Sequence, residues 1–198
     1  MFFPSTSEKV LYGDEFKPEE ISNAMYLKHP TIMICNPNAL YYHHMVNAPN
    51  AFWLNFFLKK GINVMCWNYR NYGHSKGTPS PYNIKTDAEA VFNFMLKELK
   101  LQGPLGVYGR SMGGTSAAHL ACKYKELISL LITDRTFGNL KEISGRKLQG
   151  NGVQGLFRLL TLGWDTKNMD NYRDADCFKI CTMDPKDDVV DMFSSLSC

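Results

Sequence analysis

The 198-residue sequence lacks both a long apolar run and an export signal. A helix that crosses a bilayer needs about 20 predominantly apolar residues in succession, and no stretch comes near that length. The first ten residues, MFFPSTSEKV, have neither the basic start nor the apolar run of a signal peptide. We therefore expect a soluble, cytoplasmic chain.

An excess of charge of one sign is also missing. The formal net charge is +3 and charged residues make up only 21% of the chain. This balance is too weak to attract nucleic acid, and the residue spacings of zinc fingers, homeodomains and RNA-recognition motifs are absent. We expect no nucleic-acid partner.

The six cysteines form neither a disulfide framework nor a zinc motif. Cys35 and Cys66 lie inside apolar, strand-like runs, which favours buried, reduced thiols. Cys177 and Cys181 have no matching second pair and no nearby histidine, so zinc is not predicted. The sequence implies no metal and no organic cofactor.

What the sequence does contain is an alternation of apolar β-prone runs with helical patterns. The predicted strands are 31–35, 62–69, 103–109, 127–134 and 177–184, and the predicted helices are 50–61, 84–100 and 113–125. This order predicts a three-layer α/β domain over 31–198, with a mostly parallel sheet and helices on both faces. In helix 50–61 we expect Phe52, Trp53, Phe56 and Phe57 to share one stripe. Residues 1–30 show no clear hairpin and form a separate N-terminal segment.

Ligands of such sheets bind beyond the carboxyl ends of the strands. One of these ends carries the sequence Gly109-Arg110-Ser111-Met112-Gly113 between a predicted strand and a predicted helix. Glycines allow a very sharp turn, which would hold Ser111 in a strained conformation with its hydroxyl at a pocket and at a helix N-terminus. The alternative is a Gly-Ser turn that only packs the helix against the sheet. Dinucleotide-binding and P-loop glycine patterns are absent.

Five segments, in order, resemble the ABHD type of α/β-hydrolase, in particular its serine lipase, esterase and depalmitoylase branches. They are TIMICNPNA, WNYRNYGHSKGTPSP, VYGRSMGG, ITDRTF and DPKDDVV, and the likeness extends over about residues 28–195. Pro37 and Leu40 depart from the pattern, because the family has small residues at these positions. The resemblance implies an α/β-hydrolase fold that lacks its last strand and its first two strands.

The resemblance also implies roles for individual residues. Ser111 would be the nucleophile, and the backbone N–H groups of Met112 and Asn38 would bind the oxyanion. Asp187 would be the acid that orients a histidine, with Asp134 as a fallback. For Asp134 we favour a second interpretation, in which it caps the turn before Phe137. Asp184 and Asp188 are expected to be solvated loop charges.

The base of this triad is missing from the sequence. The family order is serine, acid, histidine, and none of the five histidines follows Asp187. His119 lies ~12 Å beyond Ser111 along the same predicted helix, where it suits packing. The other four are interpreted as loop residues, with His43 and His44 alternatively at the pocket rim. Loss of the histidine from a serine triad costs ~10⁶-fold in kcat, so we expect these 198 residues alone to be very poor catalysts.

Two interpretations of the missing histidine remain open. The chain is either a piece of a hydrolase that stops before the histidine loop, or a catalytically inactive chain that keeps the fold as a binding or scaffold protein. The first is favoured because both the serine turn and the acid loop are present.

Residues 138–168 lie where α/β-hydrolases insert a lid. Phe157 and Trp164 would floor an acyl-chain pocket, although an ordinary core helix explains the same pattern equally well. Ala39, Leu40 and Tyr41 are also expected to line the substrate pocket. The resemblance implies hydrolysis of carboxylic esters through an acyl-enzyme on Ser111. The lid interpretation narrows the substrate to a lipid ester or an acyl thioester rather than a polar metabolite. It would also permit peripheral contact with a membrane.

Overall fold

A computed structural model describes residues 1–5, 25–46, 51–138, 166–187, 190 and 195–196. The strands are β1 (Phe2–Phe3), β2 (Thr31–Cys35), β3 (Asn63–Cys66), β4 (Leu105–Arg110), β5 (Ile128–Asp134) and β6 (Phe178–Thr182). The helices are α1 (Tyr42–Val46), α2 (Phe52–Lys59), α3 (Pro81–Lys97), α4 (Gly113–Lys123) and α5 (Asn168–Asp174), with a short 3₁₀ helix at Met25–Lys28.

The strands form one sheet in the order β1-β3-β2-β4-β5-β6. Every pair is parallel except the one between β1 and β3. The predicted α/β architecture with a mostly parallel sheet is therefore confirmed, and all five predicted strands are present. The parallel order places the ends of β2, β4, β5 and β6 at one edge of the sheet, as the ligand-site argument requires.

One strand was not predicted. Phe2–Phe3 pairs antiparallel with β3, with Phe2 opposite Met65 and Phe3 opposite Val64. The N-terminal ammonium group donates a hydrogen bond of 2.6 Å to the Cys66 carbonyl and holds this end in place. The sequence analysis expected the first two strands to be absent, but a two-residue run is too short to show strand periodicity.

Two apolar clusters cover the faces of the sheet, because alternate side chains of a strand point to opposite sides. In β2, Met33 and Cys35 pack towards α3 and α4, whereas Ile32 and Ile34 pack towards α2. Cys35 and Cys66 are fully buried as predicted, and burial raises the pKa of each thiol to about 12. Both thiols are therefore protonated at neutral pH.

Helix α2 does not bury the stripe that the sequence predicted. Leu54 and Phe57 form its buried face, whereas Phe52 is 64% exposed and Phe56 is 41% exposed. Residues three apart share a helix face, so Leu54 and Phe57 define one side and the two exposed phenylalanines, four apart, define another. The prediction that all four aromatic residues share one stripe was wrong.

Helix α3 begins at Pro81, three residues before the predicted start. The Ser80 hydroxyl accepts a hydrogen bond of 3.1 Å from the Asn83 amide, and proline stands at the first helical position. A serine cap followed by proline is a strong helix start signal, so the earlier start was readable from the sequence.

Candidate active site

Ser111 lies at the sharp turn between β4 and α4, and its φ of 52° is in the left-handed region. Its amide donates a hydrogen bond of 2.9 Å to the carbonyl of Asp134 on the neighbouring strand, and its carbonyl accepts one of 3.0 Å from Gly114. A left-handed serine is strained, and such strain concentrates at functional sites. The strained conformation is the one that the glycine pattern predicted.

The glycines around Ser111 are required by close backbone contacts. A Cβ atom on Gly109 would lie 2.3 Å from the Gly113 carbonyl oxygen, and one on Gly113 would lie 2.1 Å from the Cys35 carbonyl oxygen. One on Gly114 would lie 2.0 Å from Oγ1 of Thr136. The start of α4 therefore approaches the end of β2 more closely than any larger residue would allow.

This approach brings the turn at Gly109–Gly113, which we call the elbow, next to the loop that follows β2. Asn38, Ala39 and Leu40 are exposed in this loop, and Ala39 has a φ of 62°. The loop is anchored from below by Asn36, whose buried side chain donates hydrogen bonds to the Trp67 carbonyl and, at 3.5 Å, to Asn68. Burial of Asn36 with these partners holds the loop against the end of β3.

Tyr72 connects this loop to the elbow. Its hydroxyl donates a hydrogen bond of 2.6 Å to Oδ1 of Asn38 and lies 4.0 Å from Sδ of Met112. Burial raises the pKa of Tyr72 above its usual value, and a hydrogen bond with the Ala39 backbone partly opposes this rise. Tyr72 is therefore a protonated donor at neutral pH, placed between the two residues predicted to bind an oxyanion.

Tyr72 was not among the predicted site residues. It lies in the segment WNYRNYGHSKGTPSP, which carried part of the family resemblance, but nothing in that pattern says what its hydroxyl contacts. The segment itself is anchored by Arg70, whose side chain forms an ion pair with Asp87 of α3 and whose amide donates a 3.0 Å hydrogen bond to the same carboxylate.

Asp187 lies in a tight turn after β6. Its Oδ1 accepts a hydrogen bond of 2.9 Å from the Val190 amide, and its own amide donates one of 3.0 Å to the Asp184 carbonyl. Strand β5 separates β6 from β4, and neighbouring strands are about 4.8 Å apart, so the acid loop begins roughly 10 Å across the sheet edge from the elbow. The side chain of Asp184 is exposed, as expected.

Asp134 is a buried junction between these two parts. Its carboxylate accepts hydrogen bonds from the Tyr108 hydroxyl at 2.8 Å, from Thr182 at 3.1 Å and from the Arg135 guanidinium at 3.2 Å. Arg135 in turn reaches Asp184 of the acid loop at 4.0 Å and donates its amide to the Thr182 carbonyl. The carboxylate of Asp134 therefore joins β4, β5 and β6. Neither of the two roles predicted for Asp134, an alternative catalytic acid or a cap of the turn before Phe137, included these contacts.

All five histidines are among the described residues, and none of them forms a hydrogen bond with Ser111 there. His29 contacts the Ser5 hydroxyl at 2.8 Å, and His119 contacts Glu89 of α3 at 2.6 Å. The other three lie near the loop after β2, where His43 stacks on Tyr42 with ring centroids 3.9 Å apart and His74 is 6.4 Å from His43. His119 is therefore a packing residue between helices, as its position on α4 suggested.

Of the other predicted pocket residues, the structure describes Ala39, Leu40 and Tyr41. Leu40 is exposed, and Tyr41 packs edge-on against His44 with ring centroids 4.1 Å apart. Phe157, Trp164 and most of the lid-like segment 138–168 lie outside the described residues, as does Asp188. Within the described part of the chain, no helix has the length and apolar character that crossing a membrane requires.

Comparison with known proteins agrees with this geometry. The family described as alpha/beta hydrolase fold matches residues 35–162, which is more than half of the chain. Protein bem46 of Schizosaccharomyces pombe is 32% identical over 115 residues, covering 58% of this chain and 37% of that protein. The alpha/beta hydrolase domain-containing protein WAV2 of Arabidopsis thaliana is 30% identical over 117 residues, covering 59% of this chain and 37% of that protein.

The solved structures agree at the level of the fold. The esterase Pf2001 of Pyrococcus furiosus superposes with a TM-score of 0.66 at 14% identity, covering 91% of this chain and 79% of that one. The match to each of the two curated relatives covers less than two fifths of that relative's length. The matched family, these ABHD-like relatives and the shared sheet lead to one conclusion: the chain belongs to the alpha/beta hydrolase fold family and is of the ABHD type.

Proposed function

We propose that the protein is a serine hydrolase that cleaves carboxylic esters or acyl thioesters through an acyl-enzyme on Ser111. The observation that supports this most directly is the left-handed Ser111 at the start of α4, with φ of 52°. The hydroxyl of such a serine stands clear of both the strand and the helix, and the helix N-terminus favours negative charge beside it. A serine that served only to pack a helix would have no need of this strain.

In the proposed reaction, the Ser111 hydroxyl loses its proton to a base while its Oγ forms a bond to the acyl carbonyl carbon. The carbonyl π electrons move to the oxygen, and the resulting oxyanion accepts hydrogen bonds from the amides of Met112 and Asn38. The intermediate collapses, the bond to the leaving oxygen or sulfur breaks, and the leaving group takes the proton. Water then repeats the attack, releases the carboxylic acid and restores Ser111.

Tyr72 supports the oxyanion-binding arrangement. Its hydroxyl donates a hydrogen bond to the side chain of Asn38 and lies 4.0 Å from Sδ of Met112. Both residues that are proposed to supply the oxyanion donors therefore contact the same phenol. Each amide donor of this kind contributes about 3 kcal/mol to transition-state stabilisation, so small displacements of the loop have large effects. Asp187 would orient the base from the loop after β6.

A catalytically inactive binding protein is the second candidate. It is favoured by one observation, which is that none of the five histidines hydrogen-bonds to Ser111 among the described residues. The esterase named among the structural neighbours shares the fold at 14% identity, which leaves the choice between the two functions to experiment.

A fluorophosphonate probe separates the two candidates, because it reacts only with an activated serine. We expect the complete gene product to be labelled, Ser111→Ala to abolish labelling, and Ser129→Ala to leave it unchanged. Ser129 is an exposed serine on β5 that hydrogen-bonds only to the Leu105 carbonyl at 3.1 Å, so it is a matched control. Folded protein that is not labelled would favour the binding protein.

Two substrates then show whether the enzyme prefers an oxygen or a sulfur leaving group. Hydrolysis of an aryl ester and of an acyl thioester of the same chain length is measured on protein that has not been treated with the probe, with Ser111→Ala as the blank. Turnover of either one that Ser111→Ala removes supports the acyl-enzyme, and turnover that survives Ser111→Ala rejects it.

A further inference from the structure

The sequence contains a long interval without acidic residues. Residues 21–86 include no aspartate and no glutamate, although the chain has 19 of them in total. The same interval holds six lysine or arginine residues and four of the five histidines. It builds β2, α1, α2 and β3 and runs into the first turns of α3, so these elements carry positive charge that no acid in the interval offsets.

Helix α2 presents aromatic rings on this side. Phe52 and Phe56 are stacked with ring centroids 6.3 Å apart, and both are exposed. Trp53 packs edge-on against each of them, at 5.2 and 5.7 Å, and leans on Tyr108 of β4 at 5.1 Å. The exposed rings are therefore supported from beneath by the sheet and form a firm apolar surface.

Two lysines follow the rings on the same helix. Lys59 and Lys60 are exposed at its C-terminal end, and within the described part of the chain neither has a carboxylate partner. Two other cations of the interval are occupied, since Arg70 pairs with Asp87 and Lys85 donates to the Thr166 carbonyl. The exposed aromatic–lysine face therefore consists of Phe52, Phe56, Lys59 and Lys60.

This face begins near the candidate active site. Strands β2 and β3 are parallel, so the connection that contains α2 returns from the carboxyl end of β2 to the amino end of β3. Phe52, in the first turn of α2, therefore lies at the same end of the sheet as the loop of Asn38, and α1 after that loop packs against α2. A partner surface that binds Phe52 would therefore lie next to the candidate active site.

We propose that the aromatic–lysine face docks onto an anionic lipid bilayer. Aromatic rings partition into the interfacial region of a membrane, and lysines near the surface are attracted to anionic headgroups. The four described residues of the face include no acid that the headgroups would repel. The same charge argues against a second copy of this chain as the occupant, because pairing the face with itself would bring its lysines together.

Vesicle flotation with the complete protein tests the proposal. We expect binding to vesicles of phosphatidylcholine with about 30% phosphatidylserine, weaker binding to pure phosphatidylcholine, and weaker binding as salt is raised from about 0.1 to 0.5 M. Phe56→Ser with Lys59→Glu should weaken binding about tenfold, since it removes one inserted ring and reverses one charge.

A matched control exists on α3. Phe94→Ser with Lys97→Glu changes the same residue types at the same spacing, and Phe94 is 46% exposed, close to the 41% of Phe56. The control should bind as the parent does, and Ser111→Ala should as well, since docking does not depend on hydrolysis. This separates failure of the docking proposal from failure of the proposed function.

Three results would overturn the proposal. They are the absence of binding to the anionic vesicles, an equal loss of binding in the control on α3, and equal binding to neutral vesicles. Analytical ultracentrifugation of the same variants tests the alternative that a second copy of this chain occupies the face. A parent dimer that Phe56→Ser with Lys59→Glu converts to monomer, without any vesicle binding, would assign the face to self-association instead.

Discussion

The hydroxyl of Tyr72 donates a 2.6 Å hydrogen bond to Oδ1 of Asn38, across 34 residues of sequence. Through this bond, the loop after β3 holds the loop after β2 in register with the elbow. The contact links two segments that the sequence places in separate turns, and it holds the side chain of Asn38, whose backbone amide we propose as an oxyanion donor.

Replacing Tyr72 by phenylalanine removes the hydroxyl and keeps the ring. A single hydrogen bond contributes about 1 kcal/mol to stability, so we expect the thermal midpoint to fall by about 2–4 °C. Because the same bond positions the proposed oxyanion loop, we also expect the fluorophosphonate labelling rate to fall, roughly fivefold if the full 1 kcal/mol is lost from the transition state. Tyr82→Phe is the control, because Tyr82 is 76% exposed on α3. A labelling rate unchanged in Tyr72→Phe would show that the bond does not position the oxyanion loop.

Asp134 is predicted to be a structural junction rather than the catalytic acid. Asp134→Asn replaces a carboxylate that accepts from Tyr108, Thr182 and Arg135, and hydrogen bonds to charged groups are the stronger kind. We expect a loss of about 2 kcal/mol in the free energy of unfolding, measured by urea denaturation. Asp184→Asn, at an exposed carboxylate, should change it by less than about 0.5 kcal/mol.

The labelling rates of Asp187→Asn and Asp134→Asn show which of the two aspartates is the catalytic acid. If Asp187 orients the base, Asp187→Asn should slow labelling of Ser111 much more than Asp134→Asn does in folded protein. The reverse order would make Asp134 the catalytic acid.

The elbow glycine predicts a sharp contrast between two substitutions. Gly113→Ala places a methyl group 2.1 Å from the Cys35 carbonyl oxygen, so backbone must move, and we expect a loss of about 3 kcal/mol or more. Gly61→Ala meets no atom within 4 Å but has a φ of 74°, so it should cost only about 1 kcal/mol of conformational strain. Denaturant midpoints measure both, and equal losses would contradict the packing argument.

The stability of the helix pair α3–α4 should depend on pH through His119. Burial lowers the pKa of His119 from its ordinary 6.5, although hydrogen bonding to Glu89 partly opposes this. The charges that face it are Glu89, Lys85 and Lys123. Because the unfolded chain binds the proton more readily, the free energy of unfolding should fall as the pH drops below 6.5 and reach a lower plateau beneath the folded pKa.

His119→Gln keeps a donor for Glu89 and removes the titration. Its free energy of unfolding should therefore change less between pH 7.5 and pH 5 than that of the parent, whereas His44→Gln, at an exposed residue of α1, should behave as the parent does. Urea denaturation at several pH values measures this. A parallel pH dependence in parent and His119→Gln would contradict the assignment.

Much of the fold was predictable because strands and helices have different hydrophobic periods. The run TIMIC became β2 with the predicted bounds, and the glycines of GRSMGG indicated both the turn and the strain at Ser111. Such features depend on a few neighbouring residues. Helix α2 shows the limit, since four apolar aromatic side chains in eight residues do not say which of them the sheet will cover.

The contacts that complete the candidate site were beyond the sequence for a related reason. Tyr72 meets Asn38, and Asp134 meets Tyr108 and Thr182, only because parallel strands bring distant loops to one edge. Taken by itself, the sequence determined the strand–helix order, the tight turn at Ser111 and the family, since each depends on local pattern. Only the tertiary structure decided which polar groups meet at that edge and which rings stay exposed, because both depend on the packing of segments far apart in the chain.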